Sequence, residues 1–200
     1  MLHIQALLAM MFHEHFNELI KRGYVYIACP PKYRITVNGK YVYFKNDTEY
    51  NDYKINYLKN KYDIQTKGVT LKDVVWNGSS FMEHFNAIKN KYSIPADILS
   101  MLLSSDTILP IAEYLDEQGL EVTEIDEDEF YIQGLLDNDW LDIELTKSLV
   151  KEIKVLANYF GCTTFDVLDK SDGTVYECDI ADAIDLLDKA WKYTRYRYKV

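Results

Sequence analysis

The sequence predicts an α/β chain, and three observations carry that expectation. Apolar residues at helical spacing open the chain. An Asn-Gly hairpin follows them. Helix and strand patterns then mix through a long acidic second half. In the first element, Ile4, Leu7, Leu8, Met11, Phe12, Phe16, Leu19 and Ile20 share one apolar helix face. Gly23 follows Lys21 and Arg22, which is a helix stop with cations at the negative end of the dipole. Tyr24 to Ala28 is β-rich and reads as a short buried strand. Pro30-Pro31 then forces an extended exit. Tyr33 to Val37 and Tyr41 to Lys45 flank Asn38-Gly39, whose residue types suit the left-handed turn of a two-residue hairpin. Asp47 or Thr48 caps a helix running to about Leu58.

The chain from 63 to 178 reads as a separate α+β unit. Val69 to Trp76 is expected to be a strand or extended edge. Ser80 and Glu83 have capping-box spacing for a helix to about Lys91. Pro95 suits the first turn of a helix over 95–104, and Asp106 caps one ending at Gly119. Leu120 to Ile125 and Phe130 to Gln133 alternate as strands around Asp126-Glu127-Asp128-Glu129, with Trp140 to Ile143 as a third. Thr146 opens a helix to Phe160, and Thr174 to Cys178 is another strand. Asp179 caps a helix carrying Ala183, Ile184, Leu187 and Trp191. Arg195, Arg197 and Lys199 then alternate with Tyr196 and Tyr198. On a strand this sets bases on one face and tyrosines, packing inward, on the other.

Two hundred residues are enough to bury a substantial core. No apolar run reaches the length of a membrane span, and the start lacks the basic region of a signal peptide. Three cysteines without metal spacing argue against a disulfide framework and for a reducing cytoplasm. The net charge of −10 is unevenly spread. Residues 21–91 hold thirteen Lys/Arg against six acids, residues 106–188 hold twenty-three acids against four lysines, and 189–200 hold five basic residues and no acid. Contact with polyanions is therefore expected at the two ends alone.

The order of the His3-Ile4 helix, Gly23-Tyr-Val-Tyr-Ile-Ala28, Pro30-Pro31-Lys32-Tyr33 and the hairpin resembles the middle of the TOPRIM domain of ATP-dependent type II DNA topoisomerases, close to their gyrase B branch. Arg197-Tyr198-Lys199 matches the start of the family's Arg-Tyr-Lys-Gly-Leu-Gly-Glu motif. The resemblance implies a partial TOPRIM fold over 1–62, an insertion over 63–178, and a helix and basic strand over 179–200 that return to TOPRIM. It places the family's metal acids before His3, so no catalytic or metal residue is assigned here. Mg2+ and ATP are then expected only in a complete assembly. Other topoisomerase chains would supply the ATPase domain, the TOPRIM acids and the catalytic tyrosine, as for a split-gene or phage-like product in a bacterial or phage-infected cytoplasm. Duplex DNA is the implied partner, and no membrane.

Within this sequence the basic-aromatic segments are the candidate DNA contacts: Lys32, Tyr33 and Arg34, with Arg195, Arg197 and Lys199. His3, Gly23, Pro30, Pro31, Asn38 and Gly39 are read as structural. The run 126–129 lacks the spaced oxygen ligands and central Gly of a calcium loop and reads as a solvated acidic turn. His13 and His15 fall on different helix faces. The competing reading is a non-enzymatic acidic protein that binds a basic partner or regulates a topoisomerase. An unrelated α/β enzyme is a third, unsupported by any acid/base or nucleophile set.

Overall fold

The computed structural model describes residues 2–26, 30–193 and 195–197. Among these residues the fold is mixed α/β, with eight helices and three small antiparallel sheets. The chain divides into two compact units, Met1–Tyr50 with Tyr193–Val200, and Asn51–Lys192.

The first unit begins with helices α1 (Leu2–His15) and α2 (Asn17–Lys21). A single helix over 4–20 was expected, but Phe16 leaves the helical region at φ −133° and divides it. Gly23 ends α2 as the spacing foretold. At φ +72° its N–H donates to the Ile20 carbonyl, and the Tyr24 N–H reaches back to Leu19, which is a Schellman closure. Most of the apolar face is uncovered, with Ile4, Leu7, Leu8, Met11, Phe16, Leu19 and Ile20 all exposed. The expected strand does not form over 24–26, where Tyr24 and Tyr26 are exposed and no described strand pairs with them; 27–28 lie outside the described residues. Strand propensity reports fit to a packed pleat rather than an intrinsic backbone preference.

The hairpin forms as read. Strands β1 (Tyr33–Val37) and β2 (Lys40–Phe44) pair antiparallel around Asn38 and Gly39, both left-handed at φ 49° and 76°. Helix α3 (Asp47–Leu58) follows. Its first turn is capped by Asn46, one residue before the expected cap. The Asn46 side chain accepts from the Glu49 N–H at 2.9 Å, while the Glu49 carboxylate accepts from the Lys45 N–H at 2.7 Å.

The second unit holds β3 (Tyr62–Ile64), then helices α4 (Leu71–Tyr92), α5 (Ala96–Ser104) and α6 (Leu109–Glu117). Strands β4 (Glu121–Asp126), β5 (Glu129–Leu136) and β6 (Asp139–Leu145) form a meander. Helix α7 (Lys147–Ala157), strands β7 (Thr164–Asp169) and β8 (Val175–Asp179), and helix α8 (Ile180–Ala190) complete it. The two sheets run β3-β7-β8 and β4-β5-β6. Phe81, Phe85, Leu99, Ile153, Phe165 and Ile184 belong to one buried cluster.

Several expectations fail here for local reasons. Val69 to Trp76 is not a strand: Thr70 and Asp73 form the capping box that launches α4, and Ser80 with Glu83 lie inside that helix. Leu71, Val74, Gly78, Phe81, Phe85 and Ile88 are its buried face, so helical spacing outweighs the β-branched pair at 74–75. Asp106 does not cap α6, which starts later. The Asp128 carboxylate does so from the β4–β5 turn, accepting from the Ile108 and Leu109 N–H groups at 3.2 Å each. Glu129 likewise accepts from the Lys147 N–H at 2.9 Å, at the start of α7, where Thr146 is the N-cap as read. The acidic run is thus partly consumed as helix caps. Asp128→Ala is expected to lower stability in denaturant titration by about 1–2 kcal/mol. Asp128→Asn keeps an acceptor oxygen and tolerates the left-handed backbone, so its loss should be clearly smaller. Equal losses would contradict a capping role.

Candidate nucleic-acid interface

The sheet of the first unit brings both ends of the sequence together. A third strand, β9 (Tyr196–Arg197), pairs antiparallel with β1, setting Tyr33 opposite Arg197 and Arg34 opposite Tyr196. The strand order is β2-β1-β9. Five of the six sequence-derived contact residues therefore lie on or beside one sheet: Lys32, Tyr33, Arg34, Arg195 and Arg197. Lys199 lies outside the described residues, and Arg197 contributes its backbone to the pairing. Of the structural residues, Asn38 and Gly39 make the hairpin turn, and exposed Pro30 and half-buried Pro31 lead into β1. The Lys32 N–H donates to the Phe44 carbonyl at 2.8 Å. His3 sits exposed in the first turn of α1.

Strand alternation divides the side chains between two faces. On one face Tyr33, Ile35 and Phe44 are buried, and Tyr50 from α3 packs against Tyr33 and Phe44 with ring centroids 5.3 and 5.5 Å apart. The Arg195 guanidinium lies over the Tyr33 and Tyr50 rings, at 5.0 and 5.3 Å. Lys32 and the Tyr33 hydroxyl both hydrogen-bond the Asp47 carboxylate. Lys32 is thus an ion-paired cation, less available to an incoming phosphate than its charge alone implies. Arg195 is exposed, but its plane is engaged on aromatic rings.

On the other face Arg34 stands among tyrosines. Its guanidinium lies 4.3 Å from the Tyr41 ring and 5.1 Å from that of Tyr196. Tyr41 and Tyr43 are 6.3 Å apart and tilted by 60°. All three tyrosines are half exposed or more, at 57%, 53% and 50% for Tyr41, Tyr43 and Tyr196. Tyr196 does not pack inward as the alternation suggested, because the buried face opposite Arg34 is already filled by Tyr33, Phe44 and Tyr50. The sequence reading missed Tyr41 and Tyr43 as part of the site; their two-residue spacing within the hairpin was the available signal. Among the described residues, no group of three His, Cys, Asp or Glu side chains could hold a metal ion. No described helix is long and apolar enough to cross a membrane.

The Asp47 carboxyl is held below its usual range by its hydrogen bond from Lys32 and then by that from Tyr33. Lys32 is raised by the same contacts. On the Asp47 side the cluster's contribution is complete above the ordinary value of about 3.9 and fades as pH falls through the lower folded value. On the Lys32 side it is complete below about 10.4 and is lost as pH rises through the raised folded value. An NMR titration should place the Asp47 midpoint below that of an ordinary aspartate, and Lys32→Met should move it upward. An unchanged midpoint in the variant would contradict the pairing.

No family model matches the chain. Individual relatives do. Over 129 residues, 62% of this chain, it is 31% identical to the DNA gyrase B protein of Mycoplasmoides gallisepticum, of which the match covers 20%. Over 132 residues, again 62% of this chain, it is 26% identical to the DNA gyrase B protein of Synechocystis, covering 12% of it. Over 60 residues, 30% of this chain, it is 45% identical to the B component of DNA topoisomerase 4 from Escherichia coli, covering 9% of it. The chain thus spans about a fifth or less of the length of these relatives.

Proposed function

We propose, from the premise that this chain is gyrase B-like, that it serves as part of the DNA-gate region of a type II topoisomerase B-type subunit. The observation that carries this reading is the β2-β1-β9 sheet, which gathers Arg34, Arg195 and Arg197 beside the Pro30-Pro31 hairpin in a chain similar to gyrase B proteins. On this reading residues 1–62 and the return over 179–200 belong to TOPRIM, and the acidic residues 63–178 to the insertion within it. The basic side chains contact the phosphates of duplex DNA without reading sequence. The uncovered apolar face of α1 and α2 favours work within an assembly, since an exposed patch of that kind marks an association surface.

In such an assembly, companion topoisomerase chains carry the ATPase domain and the tyrosine that attacks DNA. Any Mg2+ would be held by those companion chains, where it would supply charge stabilisation for phosphoryl transfer. On this reading the chain's own part is to bind and orient the duplex. The rival reading, in which the acidic 106–188 region binds a basic partner or regulates a topoisomerase, gains little from the run at 126–129. Two of its carboxylates already serve α6 and α7.

The purified chain is expected to bind duplex DNA weakly, with affinity falling steeply as salt rises. Replacing Arg34, Arg195 and Arg197 together with Ala should weaken binding and flatten the salt slope by roughly one unit per lost phosphate contact. Alone, with Mg2+ and ATP, the chain should not relax supercoiled DNA. It should join a stoichiometric complex with companion topoisomerase chains by light scattering. Failure to bind duplex at low salt, or relaxation by the chain alone, would overturn the proposal.

A further inference from the structure

The face of the sheet opposite the buried aromatic cluster has features that phosphate contact alone does not require. A surface that only holds duplex backbones needs cations at its rim. Here the centre is aromatic: Tyr41 and Tyr43 on β2 and Tyr196 on β9 surround Arg34 on β1, with all three rings half exposed or more. Arg34 is held by the register, opposite Tyr43 on one side and Tyr196 on the other. Its guanidinium lies against two of the rings. Lys45, two residues beyond Tyr43, continues the same side of β2 and is exposed. Glu49, which lines a shallow pocket with Tyr43 and Lys45, accepts a hydrogen bond from the Lys45 backbone.

We infer that the open face formed by Tyr41, Tyr43 and Tyr196 around Arg34 binds unpaired nucleotides, whose bases stack on the tyrosine rings while Arg34 and Lys45 hold the phosphodiester. Flat π surfaces recognise any base once it is free of its partner, and a duplex keeps its bases stacked on one another. Exposed aromatics on a sheet, with cations among them, match both halves of a single strand's chemistry: apolar rings and a regular negative charge. Tyrosine suits the task because it offers a rigid ring at low conformational cost. The register makes the platform preorganised, since each ring sits on a paired strand rather than on a loop. The cations are common to single and double strands, but the rings discriminate between them. Such binding does not depend on any companion topoisomerase chain. It would serve wherever strands are melted or unpaired next to the basic surface.

The test is fluorescence anisotropy of the full chain with labelled oligo-dT, oligo-rU of equal length, and a duplex of equal length. Both single strands should bind more tightly than the duplex; a gap between the two would report which sugar is preferred. Tyr41→Ala and Tyr43→Ala should each weaken oligo-dT binding about tenfold, a clearly larger loss than either causes for the duplex. Tyr41→Phe and Tyr43→Phe should retain it, because the ring rather than the hydroxyl makes the contact. These side chains are exposed, so folding is checked by unchanged far-UV circular dichroism. Duplex bound as tightly as the single strands, Ala variants that bind oligo-dT like the parent, or inorganic polyphosphate competing as well as oligo-dT would each overturn the inference. A chain that binds duplex in a salt-dependent way but shows no preference for oligo-dT would overturn this inference alone and leave the DNA-gate reading standing.

Discussion

The pairing of β9 with β1 is the constraint on which the first unit depends. Two residue pairs, Tyr33 with Arg197 and Arg34 with Tyr196, join segments from opposite ends of the sequence. A contact that short repays little of the loop-closure entropy it incurs. Side chains on both faces add to it. Arg34 lies against Tyr196 on one face, and Arg195 lies over Tyr33 and Tyr50 on the other. Each such cation–ring contact is worth about 0.5–1 kcal/mol at an exposed site. The arginines proposed as phosphate contacts therefore also clamp the sheet, one on each face.

Electrostatics in the two halves of the sequence serve different ends. In the first unit one acid, Asp47, is drawn to Lys32 and Tyr33, while Arg34 lies against the Tyr41 and Tyr196 rings of the open face. In the second unit the high density of acids supports helix starts. Asp128, Glu129 and Asp73 accept backbone N–H groups at or next to the starts of α6, α7 and α4, where the partial positive charge of a helix favours carboxylates. Some of the acids there serve as caps as well as solvated charges.

Much of the local structure was legible in the sequence because single residues dictate it. Asn38-Gly39 specifies its turn, Thr146 its cap, and Gly23 its helix stop. What was not legible depended on competition between distant residues. Val69 to Trp76 has strand composition but lies under the Thr70 cap and continues a buried face reaching Ile88, so a twenty-two-residue helix wins. Strands β3 and β7 escaped notice because Tyr62–Ile64 is too short to show a period, and its pairing with Val167–Asp169 spans most of the second unit. At the interface, the basic residues were visible as charge. The tyrosine face was not, because which ring turns outward is decided by how Tyr33, Phe44 and Tyr50 fill the opposite face.

The central claim is that pairing of β9 with the hairpin creates the proposed nucleic-acid surface. The most direct measurement compares oligo-dT and duplex binding by the full chain and by a chain shortened to end at Lys192, with secondary structure followed by circular dichroism. The account requires both binding modes to be lost or greatly weakened in the shortened chain while its helical signal persists. Undiminished binding by the shortened chain would contradict it.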